Sequence, residues 1–433
     1  MTQFRRKAAP FAAAAAAALA LAACGTDDEA PPTDDVGMEE PDDADVGQTD
    51  DPEAPSEFAV DITSTGDPFA DAKAAAHHVK GAAQTLAGGI ATAAAMEGDP
   101  NSGASELRAS LTGLLQEHVY LAGFAVDTAY GFGPDSGEFE LAAAALDENS
   151  VELADLVGSA AGPDNREAFL ELWRQHIGFF VDYAVAQAGG DQEARQTALD
   201  SLEGYTGDAG AFFESITGGE LPADAVAQSL QGHIATLTAA IDGFAAGDAG
   251  AFDALKGAAD HVVGGAAVLA GGIATAIEAD GDTESQASQL RSGLTAGLQE
   301  HVYLAGLAVK TAYAEGADSP AFEAAAATLD ANSVELADGI GQVAGDENRE
   351  AFLELWRQHI GFFVDYAVAT AGGDQQAQAQ AIEDLAGYTG DAGAFFENIS
   401  GGELPADAVA EGLRGHISTL AGAIDSLNAA INS

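Results

Sequence analysis

The residue type with the most chemical potential in this chain is histidine, of which there are nine. His118, His176 and His233 lie 58 and 57 residues apart, and His301, His359 and His416 repeat those gaps. Each begins or centres a similar phrase: Leu115-Gln-Glu-His118, Leu172-Trp-Arg-Gln-His176 and Leu230-Gln-Gly-His233. Imidazole titrates near neutral pH and ligates zinc, copper, nickel and iron. No local chelate is present: the chain lacks HxxxH and HExxH, and no Glu stands three residues before His118, His176 or His233. A metal site must therefore be assembled from separate segments, as helical bundles do with inward-facing side chains.

These histidines read as inward-facing. His176 has Leu172 and Trp173 behind it and Phe179 and Phe180 ahead, at spacings that gather side chains on one helix face. Two readings follow. In the first, the imidazoles are core groups satisfied by polar partners on neighbouring helices, and the candidates are Asn149, Tyr205 and Asp208 with their counterparts Asn332, Tyr388 and Asp391. Such a ladder fixes helix register, because slippage leaves buried polar groups unpaired. In the second, His78, His118, His176, His233, His261, His301, His359 and His416 are ligands for copper or zinc. The first makes the protein a binding or scaffold module of unknown ligand, and the second a metal-binding or storage protein. An envelope enzyme ranks third, and the chain is expected to be no enzyme: there is no GxSxG elbow, no GxxxxGK loop and no GxGxxG after a strand.

The elements that position these residues follow from an internal repeat. Asn165–Ala186 recurs letter for letter as Asn348–Ala369, and Gly204–Glu214 as Gly387–Glu397. Eight of the nine histidines have a partner at this offset of 183 residues; His77 faces Asp260 instead. Apolar residues recur at three and four, as in Phe169, Trp173, His176, Phe180 and Tyr183, and Ala, Leu, Glu and Gln dominate. Breakers such as Gly162-Pro163, Gly189-Gly190 and Gly218-Gly219 separate the segments, and Ser105 and Asn165 stand where N-caps are expected. The fold class is all-α, with tandem antiparallel helical bundles of about six helices per copy. The uncharged Gly/Ala-rich stretch from Val262 to Ile277 reads as a buried helix that neighbours approach closely.

The division expected is a signal peptide over 1–23, an acidic disordered tether over 24–58, one bundle over 59–247 and a second over 248–433. The N-terminus has Arg5, Arg6 and Lys7, then an Ala/Leu run, then small residues before Cys24. Leu21-Ala22-Ala23-Cys24-Gly25 resembles the lipobox of bacterial lipoproteins. The resemblance implies a diacylglycerol on Cys24 and a protein anchored at the outer face of the cytoplasmic membrane. Cys24 is the one cysteine, so disulfides and thiolate metal sites are excluded. The tether is rich in Asp and Glu and has no Lys or Arg. With 70 acidic against 15 basic residues and a net charge of −55, nucleic acid is excluded as a partner. The remaining partners are the membrane through the lipid alone, another envelope protein, or a metal ion.

Around Leu172-Trp173-Arg174-Gln175-His176-Ile177 the chain also resembles function-unknown helical-bundle proteins of Gram-positive bacteria. Those alternate an (L/M)-W-x-x-H-(V/I) helix with an Asn-bearing helix. The resemblance implies a bundle and no particular activity. The matching Asn is present here at Asn149 and Asn332, while Tyr205 stands in another such slot.

Overall fold

The computed structural model describes residues 60–432, within which the chain forms twelve α-helices and no strand. They are α1 (Pro68–Ala93), α2 (Gly103–Phe132), α3 (Gly137–Ala161), α4 (Pro163–Gly189), α5 (Gln192–Ile216) and α6 (Ala223–Ala246), followed by α7 (Ala251–Ala276), α8 (Gln286–Glu315), α9 (Pro320–Ala344), α10 (Asp346–Gly372), α11 (Gln375–Ile399) and α12 (Ala406–Asn432). The expected signal peptide, Cys24 and the whole of the tether lie outside the described residues.

Short polar residues start the helices. Asp67 accepts from the amides of Phe69 and Ala70 ahead of Pro68 at the first turn of α1, and Asp191 and Asp374 cap α5 and α11 in the same way. Ser102, not Ser105, caps α2, with Ser105 donating its amide to the Ser102 hydroxyl. Asn165 is likewise inside α4 and donates its side-chain amide to the Ala161 carbonyl, while Gly162 holds the cap position. Gly190, Gly247 and Gly373 close α4, α6 and α10 in the left-handed region, with φ of 68°, 64° and 66°.

Consecutive helices from α2 to α7 pack side by side, as do those from α8 to α12. The first helix of each repeat copy behaves differently. Helix α1 packs against α8 and α12, and α7 packs against α2 and α6, so each copy lends its leading helix to the other. The packing units are therefore α2–α7 and α8–α12 with α1, which cuts across the repeat boundary at 247. The loops after α1 and α7 cross and hold each other: Ala104 donates to the Asp280 carbonyl, Ala287 to that of Glu97, and Arg108 and Arg291 donate to the Thr283 and Pro100 carbonyls.

Helices α2 and α8 meet at the centre, where Tyr120 and Tyr303 stack with ring centroids 5.4 Å apart. The buried apolar residues of both halves merge into one core. Helix α7 is long and apolar enough by composition to cross a membrane, yet here it lies against α2 and α6. Its small residues explain the close approach: a Cβ on Gly265 would sit 2.7 Å from Ser229 Oγ on α6.

Candidate metal centre

Helices α2, α4 and α6 each turn one histidine into the same place. His118, His176 and His233 are all buried, and one ring nitrogen of each lies within 4.8 Å of the others. Nε2 of His118 and Nε2 of His176 are 3.4 Å apart. His301 on α8, His359 on α10 and His416 on α12 reproduce the arrangement, again with an Nε2–Nε2 separation of 3.4 Å. The helical period places them: along α4 the buried positions include Phe169, Trp173, His176, Phe180 and Tyr183, one continuous face.

Rings enclose each trio. Trp173 meets His176 edge-on at 4.3 Å and His118 at 4.8 Å, Tyr205 stacks on His176 at 4.9 Å, and Phe180 lies 5.5 Å from His233. Trp356, Tyr388 and Phe363 do the same around the second trio. Burial makes the charged imidazolium unfavourable. It pushes His118 and His301 down to about 3 and His233 and His416 to about 4, with His176 and His359 also driven far below the ordinary value. All six are neutral at physiological pH, so each ring carries one nitrogen lone pair.

The polar ladder does not form. Both ring nitrogens of His233 and of His416, and Nδ1 of His118 and His301, are buried without a hydrogen-bond partner. Asn149 and Asn332 are buried but donate elsewhere, Asn149 to the Leu114 carbonyl and Glu117, Asn332 to the Gly297 carbonyl and Glu300. Tyr205 and Tyr388 reach the histidines through their ring faces. Asp208 and Asp391 are exposed, because the inward positions of α5 run through Leu202, Tyr205, Ala209 and Phe213 and pass Asp208 by. Of the eight candidate ligands, His78 and His261 stay apart: Nε2 of His78 is 2.8 Å from the Gly412 carbonyl and that of His261 is 2.9 Å from the Ser229 carbonyl.

A second polar cluster lies between the two units, and the sequence pattern did not single it out. Glu117 is fully buried and receives His77 Nε2 at 2.9 Å, Asn149 at 3.0 Å and the Tyr303 hydroxyl at 3.0 Å. Glu300, its counterpart, receives Asn332 at 2.9 Å and the Tyr120 hydroxyl at 2.7 Å. Lys73 bonds Glu152 at 2.7 Å, and Lys256 bonds Glu335 and Asp260 at 2.8 and 2.9 Å. Lysines thus fill the cationic role in both clusters. The two differ in charge, because His77 and Lys80 on one side are replaced by Asp260 and Val263 on the other. Against the cost of burial, hydrogen bonds and the charges of Lys80 and His77 bring Glu117 down to about 2, whereas burial and Asp260 push Glu300 up to about 7. The signal for His77 was its lack of a repeat partner, which marked one of the positions where the clusters are unlike.

Comparison with protein-family models, with curated proteins and with solved structures finds no match.

Proposed function

We propose that this is a transition-metal binding protein with two equivalent three-histidine centres, and that the metal is copper, taken up as the monovalent ion. One observation carries the reading: ring nitrogens of three buried histidines from three helices converge within 4.8 Å in each half, and the third ring of each trio, His233 or His416, has no protein hydrogen-bond partner on either nitrogen. Leaving such groups unpaired costs ~1–3 kcal/mol each, so a structure that does so twice is arranged for a ligand. The donor set fits a metal. Bonds of ~2.0–2.1 Å to imidazole imply nitrogen–nitrogen separations of ~3.3–3.6 Å around a three- or four-coordinate ion, and the 3.4 Å pairs already meet that distance.

The neutrality of the trio favours copper(I). No carboxylate bonds to these rings, so a bound ion keeps its whole charge in an apolar setting. The cost of burying an ion rises with the square of its charge, which penalises a divalent ion about fourfold more than a monovalent one. The lipobox-like Leu21–Cys24 segment supports an envelope location, with the acidic stretch holding the helical part off the membrane.

Elemental analysis of untagged protein loaded with copper(I) under reducing conditions tests the reading. Two copper ions per chain are expected, one lost on His176→Ala, one on His359→Ala, and both in the double variant. Absence of bound copper, or binding indifferent to both substitutions, overturns it.

A further inference from the structure

The two trios do not face the same space. Beside His118 and His233 the structure leaves a cavity of about 60 Å³, and beside His301 and His416 one of about 300 Å³. The larger one adjoins a further cavity of about 320 Å³, with Leu294, Leu336 and Ile340 as their common wall. The repeat explains the difference. Where the first copy has Ser229 and Leu156, the second has Gly412 and Gly339, one lining each of these two cavities. Added Cβ atoms at Gly412 or Gly339 would meet nothing within 4 Å, so the missing side chains are not replaced by neighbours.

The polar side chains lining the inner cavity are His78, Thr85, His301, Trp356, Tyr388 and His416. Nε1 of Trp356 is buried and has no acceptor, and both ring nitrogens of His416 are equally unpartnered. A buried N–H of this kind is satisfied by a ligand bearing an acceptor oxygen. The remaining walls are mainly apolar, and no Lys or Arg among the described residues lines either cavity. Glu335 lies on the outer one, and the chain carries a net charge of −55, so an anionic head group is disfavoured. At interior packing density, ~0.75, the inner cavity holds ~220 Å³ of ligand, enough for a substituted ring. We infer that the second unit binds a neutral long-chain molecule with a carbonyl-bearing ring head, its head against Trp356 and His416 and its chain in the outer cavity past Leu336. An alkylated quinone has this chemistry.

This site does not depend on copper, so it is tested on chelator-treated full-length protein. The chain has two tryptophans, one beside each trio, so Trp173→Phe leaves Trp356 as the sole reporter. Titration with decylubiquinone is expected to quench Trp356 saturably at one equivalent. The same quinone ring without the decyl chain should bind at least 100-fold more weakly. Gly412→Leu should abolish saturable quenching, and Gly339→Leu should remove the advantage of the chain while leaving the ring bound. Both variants place side chains in open space on helices, and circular dichroism verifies their folding. In Trp356→Phe protein, Trp173 should show no saturable quenching. Non-saturable quenching, equal response of both tryptophans, insensitivity to Gly412→Leu, or tighter binding of decanoate than of the quinone would each overturn the inference.

Discussion

Nε2 of His118 and Nε2 of His176 face each other at 3.4 Å inside a buried aromatic box. Two neutral imidazoles at this distance satisfy each other only weakly, and the neighbouring His233 has no partner at all. A metal that binds all three resolves the mismatch in the folded state and finds no preformed site in the unfolded chain. Loading should therefore stabilise the fold. At free copper a thousandfold above the dissociation constant the gain is ~4 kcal/mol per site. Calorimetry of loaded and chelated protein should show a clear upward shift in Tm, absent in the His176→Ala/His359→Ala variant.

The apo protein should lose stability in mild acid. Burial holds His118 and His301 at about 3 and His233 and His416 at about 4, with His176 and His359 also well below the 6.5 of the unfolded chain. Between those limits the unfolded state binds more protons, so stability present above pH 6.5 falls as pH is lowered towards 4. Urea midpoints measured from pH 8 to 4 should fall along this window. The slope should shrink in His233→Leu/His416→Leu protein, which has two fewer rings to protonate. An unchanged slope would place the acid sensitivity elsewhere.

Much of the centre was legible from the sequence. The 3.6-residue period that turns Trp173, His176 and Phe180 inward is local, and it fixed which face each histidine occupies. What it could not supply was the partner across the helix gap. Asn149 is as buried as expected, but Glu117 lies within reach and a carboxylate is a stronger acceptor for an amide than a neutral imidazole. His78 and His261 fell outside the trios because their rings bond the Gly412 and Ser229 carbonyls instead, and a repeat cannot reveal which copy a helix packs on. Intra-copy and inter-copy docking present the same helix to the same kind of surface.

Glu117 and Glu300 should respond unequally to the same substitution. Glu117 is depressed to about 2, so its contribution is present above the ordinary value of 4.5 and lost as pH falls towards 2. Glu300 is raised to about 7, so it disfavours folding as pH rises from 4.5 through 7. At pH 8, Glu117→Gln strands Lys80 and His77 beside a neutral amide and should cost ~3 kcal/mol. Glu300→Gln relieves a buried charge crowded by Asp260 and should cost under ~1 kcal/mol. Chemical denaturation of the two variants at pH 8 measures the contrast directly. Equal losses would mean that the exchange of His77 and Lys80 for Asp260 and Val263 carries no electrostatic weight.

The exchange of leading helices sets which fragment can stand alone. A piece cut at the repeat boundary, residues 68–247, contains α1 without its neighbours α8 and α12 and leaves α2 and α6 bare where α7 belongs. A piece covering residues 103–276 has the same number of helices, contains the whole first trio and keeps α7 on α2 and α6. Its uncovered surfaces are the part of α2 that meets α8, including Tyr120, and smaller patches where α3 meets α1 and α7 meets α9. The second fragment should give a cooperative thermal transition and protect its core from proteolysis. The first should melt without cooperativity or associate through its exposed apolar faces. If 68–247 proved the more stable of the two, α1 would have to fold back onto its own copy, and the exchanged packing would be one of two arrangements open to the same sequence.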